Sequence, residues 1–424
     1  MSPHAQLSPP LGLAYVAAHL RDAGHHVELT DLNVTGFNPE RLRYTLGRLG
    51  PDLVGISALT ETYLNAVRIA ALVKEHDPHI PVIIGGPHAS ILPTDVLAEP
   101  WVDFVAVGEG ERTAVELAAA VEGAGAAVGV MPTAETLASI RGLGWRRDGE
   151  VVLNASRPPL DAAEVGRPAR DLLSLEFYHD AHNILTARGG CPYRCPFCSA
   201  SHLWGGRRRP RPPSQIMAEL DEMADVFGAG HVFFVDDIFT LDRRWLDELL
   251  GLLEERPAGI TWGCATRVDL VSERLLRRMA SVGCTAIQFG IESGAQEVLD
   301  SVKGIKKPDA LNAVRWTVSA GMTATCSFMV PFPEDTESTL AETLEFMREV
   351  KDAGGELLIS FTTPYPGTRF AEEAEELGLT ILTDDWSLFD AKHVVMATRH
   401  LSAPRIEALA EDMAHTLGMR RSVV

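Results

Sequence analysis

Three of the six cysteines, Cys191, Cys195 and Cys198, fall within the run Gly189-Gly190-Cys191-Pro192-Tyr193-Arg194-Cys195-Pro196-Phe197-Cys198. Six cysteines in 424 residues are too few for a disulfide scaffold, and the crowding of three of them points to a metal site. Three thiolates on one short loop can ligate three irons of a cubane cluster and leave the fourth iron open to a substrate. Zinc competes for the same thiolates. A structural zinc site takes four ligands, usually as two separated pairs, and no second Cys-x-x-Cys is present, although His202 could serve as a fourth ligand. Cys264, Cys284 and Cys326 show no metal-ligand spacing and read as core residues.

The elements around this run predict where it sits. Apolar runs near 184–187, 232–235, 261–265, 286–290, 323–329 and 357–362 alternate with helical stretches. Six such β-α units predict a partial barrel of parallel strands, with the active site at the strands' C-terminal ends. The cysteine loop directly follows the first strand of the series. Other polar groups also close strands: Asp236 in Val235-Asp236-Asp237-Ile238-Phe239, Arg267 in Ala265-Thr266-Arg267-Val268-Asp269 and Glu292 in Gly290-Ile291-Glu292-Ser293-Gly294. Each would otherwise be a solvated or capping charge. Tyr365, Gly367 and Thr368, in Thr363-Pro364-Tyr365-Pro366-Gly367-Thr368 after the sixth strand, are expected to border a substrate. Arg207, Arg208, Arg209 and Arg211 follow the cysteines as a basic loop, which would either dock an acidic electron donor such as a flavodoxin or ferredoxin or be a solvated loop.

The C-x-x-x-C-x-x-C spacing with an aromatic residue before the last cysteine resembles that of the radical S-adenosylmethionine superfamily. The three strand-end motifs recur in that family's order. The resemblance implies that Cys191, Cys195 and Cys198 hold a four-iron four-sulfur (4Fe–4S) cluster, and that the open iron chelates S-adenosylmethionine, which is cleaved to a 5′-deoxyadenosyl radical. It also implies that Asp236, Arg267, Glu292 and Ser293 face the cluster and cofactor and that Phe197 offers backbone groups to the adenine. Val330-Pro331-Phe332-Pro333-Glu334-Asp335-Thr336 resembles the family's Gly-x-Pro-Gly-Glu-Thr turn near the adenine, with Val330 and Pro333 where glycines stand. Pro331 is its expected cofactor contact.

Ahead of the barrel, apolar runs at 27–32, 53–58, 82–84 and 104–107 alternate with helix-period segments at 11–23, 62–76 and 112–122, predicting an open α/β sheet. Residues 123–180 break the pattern, with one hairpin over 145–153 turning at Asp148-Gly149, and read as a linker with a small β insertion. Pro9-Pro10-Leu11-Gly12-Leu13, Gly85-Gly86-Pro87-His88-Ala89-Ser90 and Val107-Gly108-Glu109-Gly110-Glu111 resemble the cobalamin-binding domain fused to many radical S-adenosylmethionine enzymes, methyltransferases and anaerobic porphyrin-ring cyclases among them. Glycines at strand ends let a ligand approach the backbone. The resemblance places Ser57, Leu59, Thr60 and Glu61 under the corrin, and Gly85, Gly86, His88, Gly108, Glu109 and Gly110 around the cofactor. No histidine lies in 57–62 to ligate cobalt, and His88 is either a tail contact or structural. The family opens with an apolar strand before its Pro-Pro-Leu-Gly segment, but residues 1–8 do not read as one. The domain is therefore expected to lack its central first strand, as a truncated or degenerate version.

The fold expected is thus α/β: an open Rossmann-like parallel sheet over 1–125, a linker over 126–180, a partial (β/α)6 barrel over 181–380 and a helical tail over 381–424, with one helix at 404–417. A net charge of −20 argues against nucleic acid and anionic membrane as partners, and no apolar run approaches the about 20 residues that a membrane helix needs. With no leader evident, the protein is expected in the cytoplasm. The function expected is cobalamin-dependent radical chemistry on a small molecule, methylating an unactivated carbon or forming or rearranging a ring. The alternative is a cobalamin-free radical dehydratase or isomerase.

Overall fold

A computed structural model describes residues 8–125, 130–178 and 182–419. The chain divides into two compact units, one formed by Pro9–Phe177 and the other beginning at Tyr178. In the first, β1 (Val54–Ser57), β2 (Val82–Gly85) and β3 (Phe104–Ala106) pair in parallel, in that order. The β-branched and aromatic side chains of β2 and β3 suit a pleated surface buried under helices, whereas β1 alternates half-buried and exposed residues. Helices Leu11–Asp22, Tyr63–His76 and Glu111–Gly123 form where apolar residues recur at helical spacing.

The expected small β insertion is present and joins the sheet: β4 (Leu143–Arg147) and β5 (Glu150–Leu153) form a hairpin, with β4 antiparallel to β3. Phe104 opposite Trp145 buries an aromatic pair that a free linker would leave in water. The turn itself is as read: Asp148 and Gly149 both take positive φ, 52° and 88°, as a two-residue hairpin turn requires. Residues 27–32 form no strand. Val27 and Leu29 instead pack beside Ala17, Ala18 and Leu172. In the flavodoxin-like order this strand bonds only to the central first strand, and no such ladder exists among the described residues. The reading of residues 1–8 falls outside the described residues, apart from Ser8.

In the second unit six parallel strands stand in chain order: β6 (Asn183–Ile184), β9 (His231–Phe234), β10 (Thr261–Thr266), β11 (Cys284–Glu292), β12 (Thr323–Val330) and β13 (Glu356–Phe361). The expected first strand at 184–187 is split. Its end, β7 (Ala187–Arg188), leaves the sheet to pair antiparallel with β8 (Arg209–Pro210). One face of the sheet is apolar and packs beneath helices. Ala324, Cys326, Phe328 and Val330 of β12 join Ala313, Val314, Phe346 and Met347 in that core. Phe234, Phe239 and Trp262 stack in it, the first two with centroids 4.9 Å apart. The alternate residues of β11 and β12 are half-buried and partly polar, with the Gln288 amide donating to the Ser327 hydroxyl. This is the lining of an open barrel. The tail is not wholly helical: β14 (Leu379–Ile381) and β15 (Met396–Thr398) pair before the helix Ala403–Thr416. No helix among the described residues is long and apolar enough to cross a membrane.

Candidate active site

The cysteine loop is an excursion pinched at its neck by β7 and β8. Two glycines make the pinch possible. A Cβ on Gly190 would lie 1.8 Å from the Gly205 carbonyl oxygen, and one on Gly189, at φ 84°, would lie 2.3 Å from that of Arg207. Beyond them the Cys198 amide donates to the Cys195 carbonyl, closing a turn that carries two of the thiols. All three thiols are half-buried and unpaired in any disulfide. Burial pushes each of them up, Cys198 to about 11, and a metal bound there would hold them as thiolates. Lys303 and Arg267 oppose the upward push at Cys195. No three His, Cys, Asp or Glu side chains among the described residues converge as ligands of a single ion, and His202 is exposed. A cubane cluster takes its three thiolates on three different irons, which suits ligands held apart on one loop.

The charged strand ends are locked by partners near and far in sequence. Arg267 makes two 2.9 Å hydrogen bonds to Asp269, donates to the Lys303 carbonyl at 3.1 Å and lies 3.9 Å from the Tyr193 ring centroid in the cysteine loop. Its Nη1 is buried with no hydrogen-bond partner among the described residues. Glu292 follows a bulge in β11 and adopts φ 78°, which turns its carboxylate back toward the strand. There Lys303 donates 2.6 Å bonds to both the Glu292 carboxylate and the Gly290 carbonyl. A Cβ on Gly290 would strike both charged groups. Lys303 was not singled out in the sequence because it sits past a helix, between Val302 and Gly304, where a lysine reads as solvated.

Asp236 occupies a different place. Fully buried, it accepts from the Thr186 amide at 3.0 Å and pairs with Arg208 at 3.5 Å, bracing the strand that enters the cysteine loop against the one that leaves it. Asp237 is the carboxylate whose charge is felt at Cys191 and Cys198. The basic loop does not present four arginines to solvent. Arg211 is buried, pairing with Glu219 at 2.6 Å, and Arg208 lies over the Trp245 ring; Arg207 alone is exposed. Each buried guanidinium sits by a carboxylate because an unpaired charge there would be costly. Ser293 is buried against the Thr343 hydroxyl and caps the Ala295 amide, while a Cβ on Gly294 would strike Phe346. Pro331 is buried, and the turn after it is held by Asp335, which accepts from the Phe332 amide and the Thr339 hydroxyl, each at 2.7 Å. Phe197 lies in an apolar cluster with Phe332 and Phe370. Thr368 is buried, while Tyr365 and Gly367 are half-buried. Cys264, Cys284 and Cys326 lie in the main core.

In the first unit the expected residues gather where β1, β2 and β3 end. Gly86 has φ 94°, and a Cβ there would lie 2.8 Å from the Ala58 carbonyl oxygen. Ser90 donates to the Gly86 carbonyl and accepts from the Gly108 amide, tying two of the loops. Ser57 and Leu59 are exposed, Thr60 is buried, and Glu61, Gly85 and Gly110 are half-buried. Glu109 accepts from the Leu160 amide. His88 is 1% exposed, stacked on Tyr63 with centroids 4.2 Å apart and 3.2 Å from the Thr60 hydroxyl; burial lowers it to about 4. Those contacts make it part of the core beneath the loops.

Residues 4–118 match the B12 binding domain and residues 187–347 the radical SAM superfamily. The chain is 30% identical over 422 residues to an uncharacterized methyltransferase, PH0819, of Pyrococcus horikoshii, covering 98% of this chain and 89% of that one. It is 27% identical to the anaerobic magnesium-protoporphyrin IX monomethyl ester cyclase of Rubrivivax gelatinosus over 396 residues, covering 90% of this chain and 68% of that one. A cytidylyl-2-hydroxyethylphosphonate methyltransferase of Streptomyces wedmorensis is 28% identical over 386 residues, with 76% and 69% covered. The fold matches that of TsrM from Kitasatospora setae, a radical S-adenosylmethionine methyltransferase solved with cobalamin and a [4Fe-4S] cluster, at TM-score 0.75 and 20% identity over 89% of this chain and 78% of that one. The cobalamin-free dehydratase reading is not favoured by these relatives. The thiol loop, the buried donor of Arg267 and the glycine-lined strand ends fit a 4Fe–4S cluster, S-adenosylmethionine and cobalamin. The chain belongs to the radical S-adenosylmethionine superfamily, among the enzymes that carry an N-terminal B12-binding domain.

Proposed function

We propose that the protein methylates an unactivated carbon of a small molecule in the cytoplasm, drawing electrons from a small acidic donor. The observation that carries this reading is the presence, in one chain, of the three-thiol loop with its buried charges and of the glycine-lined strand ends of a B12-binding domain. The methyltransferases of Pyrococcus horikoshii and Streptomyces wedmorensis support methylation, and the Rubrivivax gelatinosus cyclase supports ring formation as the second reading. When bound, the cluster and S-adenosylmethionine supply a 5′-deoxyadenosyl radical and cobalamin a methyl carrier.

In this reading Cys191, Cys195 and Cys198 hold the cluster. Arg267 offers its buried Nη1 to an anionic group of S-adenosylmethionine, and Glu292, aimed by Lys303, offers its carboxylate to a cationic one. The backbone at Phe197 and Pro331 borders the adenine. Asp236 and Ser293 act at one remove, by holding the loop and the strand end. Tyr365, Gly367 and Thr368 border the substrate, and Ser57, Leu59, Gly86 and Gly108 border the corrin.

The test is anaerobic reconstitution with cluster and cobalamin, a low-potential reductant and S-adenosylmethionine deuterated in its methyl group. Recovery of both 5′-deoxyadenosine and cobalamin carrying the deuterated methyl group is the expected result. Formation of 5′-deoxyadenosine with no label on cobalamin overturns methylation in favour of ring formation.

A further inference from the structure

The loop after β13 and the cysteine loop meet directly. The short helix Arg369–Glu372 is capped by the Thr368 hydroxyl, which accepts from the Ala371 amide. First-turn amides have no acceptor within their own helix. The Phe370 amide spends its hydrogen on the carbonyl of Pro196, at 3.2 Å, inside the turn between Cys195 and Cys198. The Phe370 ring, 2% exposed, then sits 6.4 Å from the Phe197 ring and 6.3 Å from Phe332, and Phe197 meets Phe332 at 5.7 Å. Two of these contacts are edge-on, the arrangement that aromatic quadrupoles favour. Three segments are joined through one side chain: the cysteine loop, the turn after β12 and the loop after β13.

We propose that Phe370 is a positioning residue for the cluster, setting the orientation of the Cys195–Cys198 turn through Pro196 and Phe197 and linking it to the Thr363–Thr368 loop. The inference rests on the radical reading above. No other residue outside the cysteine loop is seen to contact that turn by both a backbone hydrogen bond and a ring among the described residues. A shift of the loop after β13, where a substrate would press, is thereby felt at two of the three cluster ligands.

The experiment compares wild-type holoenzyme with Phe370→Leu, Phe370→Tyr and Leu253→Ala, the last a buried core change on the helix Arg243–Glu255. Iron content, the electron paramagnetic resonance of the reduced cluster with and without S-adenosylmethionine, and S-adenosylmethionine affinity are measured. Phe370→Leu is expected to keep its iron, to shift the cluster's g values and to bind S-adenosylmethionine about tenfold more weakly, as misplaced groups do. Phe370→Tyr, which keeps the ring that leucine lacks, should restore both, the main-chain amide being common to every variant. Leu253→Ala should lower the melting temperature and leave the spectrum unchanged. Wild-type spectrum and affinity in Phe370→Leu overturn the positioning role, as does an equal change in Leu253→Ala. A wild-type spectrum that S-adenosylmethionine does not perturb overturns the radical reading itself, and the positioning role with it.

Discussion

At the mouth of the six-stranded sheet three strands, β9, β10 and β11, close on a charged residue, and each of those is held by another charge; where β1, β2 and β3 end, the corresponding residues are glycines and hydroxyls. Glu292 needs Lys303, Arg267 needs Asp269 and Asp236 needs Arg208. Gly86 and Gly108 need nothing but the absence of a side chain, and Ser90 bridges them with one hydroxyl. The first arrangement suits small charged groups that must be gripped in one orientation. The second suits a large, flat ligand that touches backbone over a wide area. A change at the first mouth therefore leaves a buried charge exposed to a low-dielectric interior, whereas a change at the second strains a backbone held at positive φ, with a steric clash besides at Gly86.

Removing the thiols should break this contrast most completely. Replacing Cys191, Cys195 and Cys198 together by alanine is expected to abolish iron and sulfide while the B12-binding unit still takes up cobalamin, as metal analysis and the visible spectrum would show. Iron at the wild-type level in that variant would sink the cluster assignment.

Next comes the charge lock. Lys303→Met strands the Glu292 carboxylate, 9% exposed, without its cation. A loss of about 3 kcal/mol in urea unfolding is expected, along with weaker S-adenosylmethionine binding. Adding Glu292→Gln should recover much of the stability but none of the affinity. If the double variant regains affinity, the pair is structural only.

The smallest effect is expected at the glycine-lined mouth. Gly86→Ala places a Cβ 2.8 Å from the Ala58 carbonyl and forces a positive φ on alanine. A cost of about 1–2 kcal/mol is expected, with weaker cobalamin uptake and unchanged S-adenosylmethionine affinity. Unchanged cobalamin uptake, measured by equilibrium dialysis, would show that Gly86 serves the packing of the loops and not the corrin.

Much of this was legible in the residues themselves. The thiol spacing, the apolar runs that become β9 to β13 and the Asp148-Gly149 turn are short-range patterns, and short-range patterns are set by backbone sterics and side-chain periodicity along one stretch of chain. The sequence alone therefore determined the three-thiol loop, its place after a strand and the glycines at the strand ends. Only the tertiary structure decided which charges those groups would meet. Arg208 and Arg211 read as a basic surface and are packed beside Asp236 and Glu219; Lys303, which no motif in the sequence marks, grips Glu292. Residues 27–32 have the composition of a strand and form none, because a strand is completed by its neighbour's hydrogen bonds and not by its own residues. The buried charges of Glu292 and Asp236 are likewise completed by counter-charges that the fold delivers from elsewhere, and no local pattern in the chain encodes those meetings.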